Sequence, residues 1–191
     1  MTAAPAYTIV LDWLEAELRS GAVVVGDKLP GERTLAERFG ISRASVREAT
    51  RMLEAMGLIR ASAGSGPNSG AVVVSEPSAA LGWALRLHIA TRSLPMADVV
   101  AARVLLETDA AQAAAATSGD PESVAVLAEV EALLDRMDDP ALPEEDFHLL
   151  DTEFHVRLAT LGGNVVTAMM LDSLRQATIG YVTETVAGLS D

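Results

Sequence analysis

The 191-residue chain contains no cysteine. That excludes disulfides, thiolate metal sites and thiol chemistry. Aromatic residues make up only 4% of it, and lysine is nearly absent, with Lys28 alone. No apolar run approaches the ~20 residues needed to span a bilayer. The N-terminal stretch MTAAPAYTIVLDWLEAELRS has no basic segment leading into an apolar one. No signal peptide is therefore expected, and the cytoplasm is the default location. What the chain does have is alanine and other apolar residues, half of its length. This composition suits a soluble, mainly helical protein of one or two domains with a real core.

Charge is unevenly spread. The chain carries a net charge of -13, yet residues 1–75 hold eight basic and eight acidic side chains. The whole excess lies in residues 76–191. Between Lys28 and Arg60 there are seven basic and four acidic residues, a local +3. Such asymmetry points to two parts with different tasks.

Apolar spacing predicts a helix over 7–20, with Ile9, Val10, Trp13, Leu14 and Leu18 on one side and Gly21 just past its end. "VVVGDKLP" reads as an extended connection. A second helix spans 32–39 and ends at Gly40. Ser42 is a good N-cap for a third helix running to about Met56, which Gly57 stops. Two short β-prone runs then flank the tip "GSGPNSG", the pattern of a hairpin. Helix, helix, three-residue turn "GIS", helix and hairpin make a winged helix-turn-helix. This first domain is expected over residues 1–75. The second, 76–191, reads as all-helical, with helices at 78–91, 96–117, 121–137, 143–161 and 164–187. The run "AAQAAAA" at 110–116 suits close helix packing by small side chains. The expected fold class is mainly α, a winged helix-turn-helix followed by an antiparallel helical bundle.

On the third helix Val46, Ala49, Thr50, Leu53 and Met56 share the face that packs on the first two helices. Arg43, Arg47 and Arg51 lie on the adjoining flank, spread over ~80°. An arginine fork can take both major-groove acceptors of guanine, or a phosphate. Arginines in such a flank can equally pair with Glu48 and Glu54 on a solvated face.

The stretch "LPGERTLAERFGISRASVREATRMLEAMGLIR" closely resembles the DNA-binding domain of GntR-family transcriptional regulators. The resemblance implies DNA contacts by Arg33, Ser42, Arg43, Ser45 and Arg47, and by Gly64 and Gly66 of the wing. It also implies a homodimer on a short inverted repeat in double-stranded DNA. Three positions depart from the family pattern: Gly31 where serine is common, Ala44 where a hydroxyl is common, and Thr50 in place of leucine.

In the second half, "SLPMADVVAARVLLETDAAQAAA" and "LLDTEFHVRLATLGGN" resemble the FCD subfamily of these regulators. Asp151 and His155, four apart on one helix, can both reach one cation. They can equally form a hydrogen-bonded pair at the edge of a core helix. His148 lies on the same edge. The resemblance implies a divalent metal (Zn, Ni or Mn) held by Asp151 and His155 with two later histidines. No histidine follows His155, and the chain stops at Asp191, where further helices of such a domain are expected. The resemblance also implies a small organic acid or sugar acid as effector, with Arg103 as its cation. Arg103 can instead pair with Glu107 one turn on. His88 and Trp83 suggest only ordinary packing.

These features predict a DNA-binding regulator, a repressor by expectation, tuned by a carboxylate effector. Two other readings compete. One is a DNA-binding and dimerising protein without a ligand site. The other is a metal-dependent hydrolase using His148, Asp151 and His155. The hydrolase reading finds no separate nucleophile or base and leaves the winged segment unexplained.

Overall fold

The computed structural model describes residues 5–61, 70–117, 119 and 121–187. The chain divides into two compact units, Met1–Ala80 and Leu81–Asp191.

The first unit contains α1 (Thr8–Ser20), α2 (Glu32–Phe39), α3 (Arg43–Ala55) and a hairpin of β1 (Ile59–Ala61) and β2 (Ala71–Val73). One cluster joins Val10 of α1 to Leu35 and Ala36 of α2 and to Val46 and Ala49 of α3. A second joins Leu14, Leu29, Leu53, Ile59 and Val73, so the hairpin shares the core of the helices. Two expected core residues do not belong to it. Ile9 is 43% exposed and Met56 42%. Met56 sits past the last residue of α3, and Ile9 lies off the Val10–Leu14 stripe.

The strands pair antiparallel, Ile59 with Val73 and Ala61 with Ala71. The segment before α2 extends this pairing. Leu29 N–H donates to Ala71 (2.8 Å), Val73 N–H to Asp27 (2.8 Å) and Gly26 N–H to Val73 (2.9 Å). The connection is thus tied edge-on to β2, which satisfies backbone groups that burial would otherwise leave unpaired. Gly57 turns the chain from α3 into the hairpin at φ +70°. A side chain there would put Cβ 2.2 Å from the Glu76 carbonyl oxygen, so both conformation and space demand glycine.

The second unit is helical, built from α4 (Pro77–Ala90, which begins in the first), α5 (Met96–Ala116), α6 (Pro121–Met137), α7 (Glu144–Leu161) and α8 (Val165–Ala187). α4 to α7 start at prolines or just after them, where the missing N–H costs nothing, and Asn164 caps α8, its Oδ1 accepting from Val166 N–H at 3.0 Å. α5 and α8 both pack on α7, α5 packs on α8, and α6 packs on α7. The alanine run works as expected: Ala110 and Ala114 are buried, and a Cβ on Gly162 would come 2.9 Å from that of Ala113. α8 presents Leu171, Leu174 and Ala177 to the core, with Ser173, Arg175 and Thr178 buried beside them. On α7 the inward residues are Leu150 and Ala159, whereas Phe147, one turn before Leu150 on the same side, is 40% exposed. Phe147 lies in the first turn of α7, near the end of the helix.

Candidate functional site

The turn between α2 and α3 is built locally. Gly40 adopts φ +64°, and Ile41 N–H reaches back to the Ala36 carbonyl at 3.2 Å. This closes the end of α2 as a left-handed glycine cap does. Ser42 then caps α3, its Oγ accepting from Ser45 N–H at 3.0 Å, with the two hydroxyls also 3.0 Å apart. Both serines expected at DNA are therefore used to start the helix. Their hydroxyls are shared with that task.

The arginines of this unit fall into two groups. Arg38 stacks over Trp13 (5.0 Å) and Phe39 (5.5 Å) and meets Glu17, which also accepts from Trp13 Nε1 at 2.7 Å. Arg60 pairs with Glu76 at 2.5 Å. Arg38 is thereby a packing residue, whereas the Arg60–Glu76 pair is exposed. Arg43 and Arg51 are exposed on α3 and form no ion pair among the described residues. Arg47 lies 3.4 Å from Glu32 at the start of α2, and Arg33 lies 3.8 Å from Glu37; Arg33 and Glu37 are largely open to solvent, Arg47 is half-exposed and Glu32 partly buried. Such exposed pairs are weak and easily exchanged for a phosphate. α3 thus presents Arg43, Arg47 and Arg51 outward, with Arg33 at the head of α2. Gly64 and Gly66 lie outside the described residues.

In the helical unit, five side chains from three helices converge. Glu107 of α5 lies 3.4 Å from Arg103, one turn before it. This is close enough for an ion pair, but Arg103 Nε is buried and not aligned for a hydrogen bond. Asp151 and His155 of α7 approach to 3.5 Å through Oδ1 and Nε2, and His155 Nδ1 lies 3.9 Å from Glu107. Arg175 of α8 closes the ring. Its Nη2 donates to Glu107 at 2.5 Å and its Nη1 to Asp151, with the side chain only 4% exposed. His155 and the Arg175 guanidinium hold the Asp151 carboxyl at about 2, below its ordinary 3.8, against the opposing effect of partial burial. His148 turns away, 3.6 Å from Glu144.

Spacing places Arg103 beside Glu107 and Asp151 beside His155; the packing of α5 on α7 then links the two pairs through Glu107 and His155. Arg175 is the residue that sequence reasoning missed. Its signal is an arginine inside the apolar run "MMLDSLRQATIG", on the same side of α8 as Leu171 and Leu174. A cation there requires a counter-charge from another helix.

A divalent metal does not fit this arrangement. Both oxygens of Asp151 are occupied, one by Arg175 and one by His155. Both His155 nitrogens face carboxylates, and the buried guanidinium stands where a dication would repel it. Among the described residues no group of three or more His, Cys, Asp or Glu side chains is placed to hold a metal.

A winged helix-turn-helix bearing arginines outward, followed by a helical unit with an ion cluster around a buried arginine, defines a class of regulatory protein. Residues 6–67 match the family of bacterial regulatory proteins described as the gntR family, and residues 98–190 match the FCD domain. The chain belongs to the GntR family and carries an FCD domain. It is 32% identical over 175 residues to the Uxu operon regulator of Haemophilus influenzae, covering 89% of this chain and 59% of that protein. It is 25% identical over 187 residues to the Glc operon transcriptional activator of Escherichia coli K12, covering 97% of this chain and 72% of that one. Among solved structures, a Streptococcus agalactiae GntR protein matches with TM-score 0.54 and 25% identity, over 95% of this chain and 84% of that one. The chain thus spans about three fifths of the first relative's length. The first two of these relatives are named as regulators of operons.

Proposed function

We propose that this protein is a sequence-specific DNA-binding transcriptional regulator that acts as a homodimer on a short inverted repeat. The observation that carries this reading is the outward flank of α3, where Arg43 and Arg51 have no ion-pair partner among the described residues and Arg47 meets only Glu32, at 3.4 Å. In a major groove, Arg43 and Arg47 of the first turns meet base edges, and Arg33 meets a phosphate. Ser42 and Ser45 add hydroxyls at the same end, and Gly64 and Gly66 of the wing complete the contact. Two copies double a local charge that is modest in one.

The helical unit serves as the effector-binding half. Its ligand is a small organic or sugar acid, and Arg103 supplies the positive charge, since its Nε is buried near Glu107 without a hydrogen bond. Effector binding changes the affinity for DNA, and DNA changes the affinity for effector by the same factor. In the absence of effector the protein occupies its operator and represses.

Selection of sheared genomic DNA on the purified full chain, at physiological salt, tests the proposal. Recovery of an inverted repeat is expected. Recovery of DNA with no shared sequence would sink it.

A further inference from the structure

We propose that Arg175 is the helical unit's resident cation, occupying the position of a divalent metal and making the unit metal-independent. This goes beyond the regulatory reading and holds whether or not an effector acid binds here.

The charge arrangement points this way. Glu107 and Asp151 come from α5 and α7, and each accepts a hydrogen bond from a different nitrogen of one guanidinium on α8. Arginine's planar fork suits two carboxylates held apart on separate helices. Arg175 already bridges the two carboxylates, and a second guanidinium, that of Arg103, lies 3.4 Å from Glu107. A dication added there would leave two guanidinium charges uncompensated. The ligand atoms a metal needs are also engaged, because His155 turns each ring nitrogen toward a carboxylate.

Arg175 therefore does mechanically what a metal does in such a bundle: it ties three helices at one point. It differs in one respect that can be measured. A guanidinium cannot be extracted by a chelator and does not lose its proton in the accessible pH range.

The test uses the full chain, expressed with Zn²⁺, Ni²⁺ and Mn²⁺ in the medium. Elemental analysis is expected to find no stoichiometric metal. Thermal unfolding is expected to be unmoved by a chelator or by added metal. The variant Arg175→His places an imidazole opposite Glu107, Asp151 and His155. It is expected to gain a metal-dependent rise in midpoint of roughly 5–10 °C at about a hundredfold excess over its Kd. Stoichiometric metal in the wild-type protein, with a midpoint lowered by chelation, would overturn the proposal. So would an Arg175→Ala variant that keeps the wild-type midpoint. The wild-type measurements decide the matter alone if a variant fails to fold.

Discussion

Arginine appears in this chain in three physical roles, and surroundings rather than residue type separate them. Arg38 is a packing residue, its guanidinium spread over Trp13 and Phe39. Arg175 is a buried clamp. Arg43 and Arg47 stand outward at the start of α3. Arg47→Ala is expected to cost about 1–3 kcal/mol in specific binding and to relax base preference. Fluorescence anisotropy on the selected site and on a scrambled one measures both; unchanged affinity for the selected site refutes the placement of α3. Ser42 carries two roles that substitution can separate. Ser42→Ala is expected to destabilise the fold by about 1 kcal/mol, and Ser42→Gly by only roughly a few tenths, because glycine is itself a fair N-cap. Operator binding weakened in Ser42→Gly, with the unfolding midpoint nearly kept, assigns the hydroxyl to DNA. Binding equal to wild type leaves it a cap alone.

At the scale of elements, the first unit depends on how α3 is joined to the hairpin. Val46, Ala49 and Leu53 anchor the helix, and Gly57 lets the chain reverse against Glu76. Gly57→Ala combines a strained φ with a collision against backbone, and is expected to cost more than about 1 kcal/mol. Urea unfolding that shows no loss would mean the turn relaxes without strain. The segment 26–29 belongs to the same element in space, though it precedes α2 in sequence. It shares β2's backbone groups, so the sheet and the entry to α2 are a single hydrogen-bonded piece.

At the scale of the whole molecule, charge is divided by task. The acidic surplus lies in residues 76–191, and the arginine flank lies before them. An acidic half discourages nonspecific association of that half with nucleic acid, which suits the DNA binding proposed for the other half. The ion cluster gives the helical unit a defined response to acid. The Asp151 pKa is about 2 in the folded state and 3.8 as an ordinary carboxyl. A depressed folded pKa contributes stability that is complete above the unfolded value and is lost as pH falls through the folded one. Acid unfolding is therefore expected to draw on this group between pH 3.8 and about 2. Asp151→Asn should flatten the pH dependence of denaturant unfolding across that window. A slope equal to wild type would show that the cluster does not contribute.

Much of this was legible in the sequence because it is local. Helix ends follow from Gly21, Gly40, Ser42, Gly57 and the prolines, whose backbone limits act on the residue itself. The arginine flank follows from a 3.6-residue period, and so do the Arg103–Glu107 and Asp151–His155 neighbourhoods, each one turn apart. Other features depended on packing. Ile9, Met56 and Phe147 satisfy an apolar pattern, yet each is exposed, because a stripe wider than its partner surface leaves its edges or ends uncovered. Which arginine is tied and which is open depends on partners such as Glu17, Glu32 and Glu76. The role of Arg175 is the clearest case. It meets Asp151 across 24 positions and Glu107 across 68. No periodicity connects residues so far apart; only the packing of α5, α7 and α8 brings their charges together and turns an expected metal pair into an ion cluster closed by arginine.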